Sequence, residues 1–400
     1  MARESAATAS PPQAAPIDLD RLIRDESTAI IVCCGSGGVG KTTTAAALGV
    51  RAAELGRKVV VLTIDPARRL AQSLGLTELD NTPRPVVGID TSSGGSLDAM
   101  MLDMKRTFDE VVMNHSTPEK AEQILANPFY QALSSSFAGT QEYMAMEKLS
   151  QLSQEATDDG RWDLIVVDTP PSRSALDFLD APKRLGSFLD GRFIRLLMAP
   201  AKAGGRAYLK VLSGGINLAT SIMTKLLGGQ MLQDVQTFVA ALDTMFGGFR
   251  QRAEKTYALL GDNRTAFVVV AAPERDALRE ASYFVQRLDQ EQMPLAGVLV
   301  NRVQRLTATG LSSARADAAA EVLGEASLDG TGSETAALTE GLLRVHADLA
   351  ETAERHQAQV GRFIAGHPGI PLTEVPAAAA DIHDLAGLRE IGDALSSSAR

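Results

Sequence analysis

The chain has 400 residues, 45% of them hydrophobic but only 4% aromatic, and a formal net charge of -10. That length suits one large α/β domain carrying insertions, with an interior of Ala, Val, Leu and Ile of the kind found where parallel strands lie between helices. The acidic balance excludes the clustered Lys and Arg grip of sequence-independent nucleic-acid binding. The only cysteines, the adjacent Cys33 and Cys34, exclude a disulfide framework and a Cys-x-x-Cys metal site and fit a reducing cytoplasm.

Residues 1–16 are rich in Ala, Ser and Pro, lack a signal-peptide core and are expected to form a disordered tail ahead of a single domain over 17–400. Runs rich in Val and Ile then alternate with helical stretches, the pattern of a doubly wound, mostly parallel sheet. Strands are expected at Ala29–Cys34, Lys58–Ile64, Leu164–Asp168, Thr265–Ala271 and Leu295–Asn301, with a weaker one at Ile370–Val375. Helical insertions are expected at about 98–155 and 176–260. The second carries apolar residues at spacings of three and four, including Leu218, Ile222, Met223, Leu226 and Leu227, and is punctuated by Gly pairs that loosen helices. It reads either as a helical subdomain with a buried face or as an adaptable, Met-containing surface for a hydrophobic partner. Its longest uncharged stretch, Val211–Thr224, is too short to span a bilayer. Toward the C-terminus an Ala-rich helix is expected around Ala314–Ala326, a loop at Asp329–Ser333, a long helix over Glu334–Ile364 and a last helix over Asp381–Leu395 that closes the sheet.

Chemistry is carried by Gly35-Ser36-Gly37-Gly38-Val39-Gly40-Lys41-Thr42, which follows a strand and opens an Ala- and Leu-rich helix. In that setting Gly37, Gly38, Val39 and Gly40 turn backbone N–H groups inward around phosphates, and the helix N-terminus, through Thr43, faces the same anions. Lys41 is expected on the β- and γ-phosphates of ATP and the Thr42 hydroxyl on Mg²⁺. Asp168 ends the run Leu-Ile-Val-Val-Asp and is expected to hold Mg²⁺ through water. Asp65, in Thr-Ile-Asp-Pro-Ala-Arg-Arg, is expected to orient the attacking water. Both fall at the C-terminal edge of the sheet, where ligands bind.

From about Ile30 to Leu395, at these residues, the chain resembles the arsenical-pump (ArsA) and guided-entry tail-anchored-protein ATPases, part of a deviant Walker A class that includes septum-placement and chromosome-partition ATPases. The resemblance implies that Asp65-Pro66-Ala67 is a first switch and Asp168-Thr169-Pro170-Pro171-Ser172 a second. It implies that Val300-Asn301-Arg302 ends a strand whose Asn301 reads adenine, and that Pro376, with Asp381-Ile382-His383-Asp384-Leu385 after it, closes over the base. It implies a cytoplasmic Mg-ATPase that closes as a dimer and rearranges the helical region around a client, either a hydrophobic segment or a membrane protein.

Three departures qualify that inheritance. The lysine that this class places before the paired glycines, and that reaches into the partner's site, is replaced here by Ser36. A heterodimer with a related ATPase carrying that lysine is therefore expected, with Arg68 or Arg173 as alternative sources of the charge. Arg173 also interrupts the second switch. Finally, Cys33 and Cys34 are successive strand residues whose side chains point to opposite faces and cannot chelate one ion, unlike the thiol sites of metalloid-pumping and zinc-joined members. A catalytically weak scaffold subunit and a metalloid- or anion-export subunit are the alternative functions.

Overall fold

The computed structural model describes residues 14–65, 69–128, 130–131, 140–170, 251–306, 308, 310–328 and 334–397. Eight strands, β1 (Ile30–Gly35), β2 (Lys58–Thr63), β3 (Arg84–Pro85), β4 (Ser96–Met101), β5 (Leu164–Asp168), β6 (Thr265–Ala271), β7 (Leu295–Val303) and β8 (Leu372–Pro376), form one sheet in the order β3-β4-β2-β5-β1-β6-β7-β8. All neighbours pair in parallel except β3 with β4. The chain leaves β1 toward β2 and β4 on one side and later reaches β6, β7 and β8 on the other, so the order reverses at β1 and the expected doubly wound fold is present.

Helices cover both faces. On one, α1 (Leu19–Arg24), α2 (Lys41–Glu54), α3 (Arg69–Ser73) and α11 (Leu385–Ser397) bury Leu48, Leu70 and Leu388 against Val61, Val166 and Val270. On the other, α4 (Met104–His115), α5 (Pro118–Leu125), α6 (Thr140–Asp159), α7 (251–260), α8 (Arg275–Gln290) and the C-terminal half of α10 (Glu334–Gly366) bury Val112, Leu149, Leu260, Phe284 and Phe363 against Val60, Val167 and Val269. α9 (Ser313–Leu328) packs along the N-terminal half of α10. Cys34 belongs to the second core and Cys33 to the first, both fully buried, as the two-residue period of a strand requires.

Several boundaries move. The 98–155 region begins with a strand: β4 pairs with β2, Lys58 with Ser96 through Thr63 with Met101. Ser-Leu-Asp-Ala-Met-Met holds no β-branched residue, so propensity is silent and only the open flank of β2 makes it a strand. The tail expected over 1–16 is engaged from residue 14: Ala14 packs on the core, the Ala15 carbonyl accepts from Leu372 N at 2.8 Å, and Ile17 N donates to Thr373 Oγ1 at 3.0 Å. The last helix starts at Leu385, because the Asp384 carboxylate accepts from Gly387 N at 2.8 Å and ends the preceding loop. Of the expected 176–260 insertion, 251–260 is helical and the remainder lies outside the described residues.

Arg57 closes the N-terminal edge of the sheet. Only 6% exposed, it donates to the carbonyls of Ile23 (2.6 Å), Asp25 (3.1 Å), Thr28 (2.8 Å) and Asp163 (2.9 Å) and to Asp163 Oδ1 (2.8 Å). One planar fork thus satisfies carbonyls preceding β1 and β5, those of Ile23 and Thr28 being buried. Arg57→Ala leaves them unpaired and is expected to cost about 3 kcal/mol in urea unfolding. Arg57→Lys should recover little of this, since an ammonium cannot span the set.

Candidate nucleotide site

The loop from Gly35 to Gly40 leaves β1 at the C-terminal edge of the sheet and opens α2. Its glycines are required by close approach and by backbone angle: a Cβ at Gly35 would lie 2.0 Å from the Val270 carbonyl oxygen, and Gly40, at φ 94, would drive a Cβ to 2.2 Å from Asn301 Nδ2. Gly37 and Gly38 face solvent while Val39 is buried. The result is an open loop of backbone held on a rigid strand and capped by a helix N-terminus, the arrangement that receives phosphate.

Asp168 organises the floor. It is fully buried, and its Oδ2 accepts from Thr42 Oγ1 at 2.7 Å and from Thr63 Oγ1 at 2.9 Å. Its Oδ1 is buried without a hydrogen-bond partner among the described residues. Burial pushes its carboxyl up to about 6, against the pull of the two hydroxyls and the Lys41 charge. Burial also lowers the Lys41 ammonium, an effect opposed by the charges of Asp168 and Asp65. Lys41 Nζ donates to the Ser36 carbonyl at 2.7 Å, folding the side chain back over its own loop.

The hydroxyl of Thr42 and the partly unpaired carboxylate of Asp168 form an oxygen-only donor set, which fits a hard divalent cation such as Mg²⁺. The structure therefore brings together Gly37, Gly38, Val39, Gly40, Lys41, Thr42, Thr43 and Asp168. Asp65 joins them electrostatically, its charge acting on both Lys41 and Asp168, and its carbonyl lies 3.3 Å from Thr63 Oγ1, whose single proton goes to Asp168. Thr63 was not among the expected site residues. Its only sequence signal is a hydroxyl two positions before Asp65 at a strand end, and its contact with Asp168 spans 105 positions.

Asn301 reaches the loop because β7 is irregular there. The β7–β8 register shifts between Val300 and Val303, and Arg302 takes a positive φ of 61. Such a bulge re-aims a side chain. Asn301 Nδ2 donates to the Val39 carbonyl at 2.9 Å, and its Oδ1 accepts from Arg302 N at 2.9 Å. Pro376 is paired with Val303 at the end of β8. Ser36 is 8% exposed with its Oγ buried and unpartnered among the described residues, so it points into the fold and not toward solvent. Pro66, Ala67, Arg68 and the second switch from Pro171 on, Arg173 included, lie outside the described residues.

The sequence profile of the ArsA ATPases, described as anion-transporting ATPases, matches residues 28–309, from the strand before the loop to beyond Asn301. The chain belongs to the anion-transporting ATPase family. It is 25% identical over 303 residues to the ATPase GET3 of Malassezia globosa, covering 74% of this chain and 80% of that protein. It is 24% identical over 288 residues to the ATPase ASNA1 homolog 2 of Paramecium tetraurelia, covering 71% and 79%. Over 278 residues it is 25% identical to the ATPase GET3C of Arabidopsis thaliana, covering 67% and 65%. The chain is accordingly an ATP-binding P-loop ATPase, and no helix among its described residues is long and apolar enough to cross a membrane.

Because the Asp168 carboxyl titrates near 6 in the fold and at 3.8 when unperturbed, the folded protein holds that proton more tightly than the unfolded chain. The stability it contributes is complete below about pH 4 and lost as pH rises through about 6. Asp168→Asn removes this dependence. Nucleotide-free wild-type protein is expected to lose about 3 kcal/mol relative to Asp168→Asn between about pH 4 and pH 7 in denaturant titrations.

Proposed function

We propose that the site hydrolyses Mg-ATP to drive a dimeric switch, with Ser36 making this chain the half that lacks a reaching cation. The observation that carries the proposal is the convergence of Lys41, Thr42 and Thr63 on a buried Asp168 beneath an open glycine loop. The loop amides of Gly37, Gly38, Val39 and Gly40 bind the phosphates, and Thr43 completes the first turn of α2. Nucleotide entry draws Lys41 from the Ser36 carbonyl onto the β- and γ-phosphates, exchanging a neutral acceptor for an anionic one. Thr42 would hold Mg²⁺, with Asp168 contributing through water, and the bound ion would neutralise charge developing on the phosphates.

Asp65 orients a water and accepts its proton as the water oxygen bonds to the γ-phosphorus. The bond to the β–γ bridging oxygen breaks, and ADP leaves with that electron pair. Asn301 and Pro376 flank the base. With one N–H and one lone pair engaged by Val39 and Arg302, the Asn301 amide keeps one of each for a base edge.

A chain whose loop carries Ser36 has no cation at the loop position from which this class reaches across a dimer. The fitting partner is a related ATPase with lysine at that position, and the insertion expected to be helical at about 176–260 is the proposed seat for a hydrophobic client. The relatives GET3 and ASNA1 homolog 2 are both ATPases, which supports hydrolysis over a silent scaffold.

Three variants test the proposal. Lys41→Ala should abolish binding of a fluorescent ATP analogue. Asp65→Asn should keep that binding while turnover falls at least about a hundredfold, the range for loss of a positioned general base. Ser36→Lys should raise the turnover of the purified chain; an unchanged rate would refute the assignment of Ser36 as the missing cation.

A further inference from the structure

Three residues stand level with one another where the sheet ends beneath the phosphate loop. β5 runs between β1 and β2, and the register sets Asp168 beside Cys33 on one strand and beside Thr63 on the other. Alternation along each strand turns all three to the face that α2 covers, since Cys33, Val61 and Val166 belong to that core. Cys33 brings Asp168 a fully buried thiol, a weak donor. Thr63, 1% exposed, brings a full hydroxyl.

Thr63 is pinned on both sides. Its carbonyl accepts from Leu102 N at 2.9 Å just past β4, and the next amide, Ile64 N, donates to the Asp168 carbonyl at 2.9 Å. The side chain is β-branched and therefore stiff at its first torsion. Its hydroxyl carries one proton and lies between two acceptors, Asp168 Oδ2 at 2.9 Å and the Asp65 carbonyl at 3.3 Å. The nearer, charged oxygen takes it.

Asp168 Oδ2 thus receives two donors from two elements, Thr42 of α2 and Thr63 of β2, while Oδ1 receives none among the described residues. A carboxylate turns readily about its Cβ–Cγ bond and its two oxygens are chemically alike, so one donor alone is satisfied by either oxygen over a broad range of angles. Two donors on fixed elements select one orientation. Thr42 has a second task, because its oxygen is also proposed to hold the cation. Thr63 has only this one.

We propose that Thr63 is the positioning residue of the site: its hydroxyl fixes the turn of the Asp168 carboxylate so that Oδ1 is the oxygen offered to the hydrated Mg²⁺ accompanying ATP. The proposal rests on the reading of Thr42 and Asp168 as the groups that hold this ion. Thr63 itself touches neither nucleotide nor metal and acts only through Asp168, as groups bonded to a metal's ligands do when they set ligand orientation. The site requires its proton and not merely its volume.

The test compares Thr63→Val, which keeps the shape and removes the proton, with Thr63→Ser, which keeps the proton. Binding of a fluorescent ATP analogue to the full chain is measured in excess EDTA and in saturating Mn²⁺, a readout that needs no turnover. Mn²⁺ should tighten binding to the wild-type protein. Thr63→Val should leave the dissociation constant in EDTA unchanged and raise that in Mn²⁺ at least about tenfold, the range for removing a group bonded to a metal ligand. Thr63→Ser should recover most of the loss. Thr63→Ala lacks the same proton and should match Thr63→Val, and it carries the comparison where urea unfolding shows that the valine is not accommodated. Tightening by Mn²⁺ that survives loss of the hydroxyl, an equal loss in EDTA and in Mn²⁺, or a serine variant as weak as the valine would each overturn the positioning role while leaving the metal site in place. Wild-type binding that is indifferent to Mn²⁺ would overturn the metal reading itself, and the role of Thr63 with it.

Discussion

The buried Asp168 carboxylate is the constraint on which the nucleotide site depends. Placing an anion where it is fully screened from water is costly, and it persists only because hydroxyls from α2 and β2 and the Lys41 ammonium face it. Those same partners are the groups proposed to meet the nucleotide. One oxygen accepts two hydrogen bonds and the other has no partner among the described residues, so the floor is electrostatically incomplete. A proton or an external cation relieves that imbalance. The requirement ties the first turn of α2, the end of β2 and the end of β5 into one unit.

Topology explains why these groups meet. β1 sits between β5 and β6, with β2 beyond β5, so strand ends carrying the loop, Asp168 and Thr63 are neighbours although they lie far apart in the chain. The two edges of the sheet have different tasks. At the N-terminal edge Arg57 satisfies carbonyls and seals the fold. At the C-terminal edge polar groups are left partly unmatched, which destabilises the free protein and favours ligand. The bulge at Asn301 and Arg302 is a local departure from regular pairing that turns an amide onto the loop.

The arm formed by α9 and α10 rises from that chemical edge and not from the sealed one. Its inner face is closed by small residues, Ala316, Ala320, Ala347 and Ala350, all buried, which let two helices lie close. Its outer face keeps large apolar side chains in water. Among the described residues, one side of α10 is buried and the other largely exposed.

Local chemistry was legible in the sequence. The phosphate loop is contiguous, and the strands at Leu164–Asp168 and Thr265–Ala271 announce themselves through Val and Ile, because β-branched side chains favour the pleat wherever they occur. The opposed faces of Cys33 and Cys34 follow from strand period alone. Tertiary structure alone decided what depends on partners distant in the chain. β4 is a strand only because β2 offers an open edge. Ala15 is ordered only because β8 lies beside it. Thr63 joins Asp168 across 105 positions, and Asn301 joins Val39 across 262. Backbone preference and periodicity act over a few residues, whereas desolvation and hydrogen bonding at the sheet edge act between whichever groups the strand order brings together.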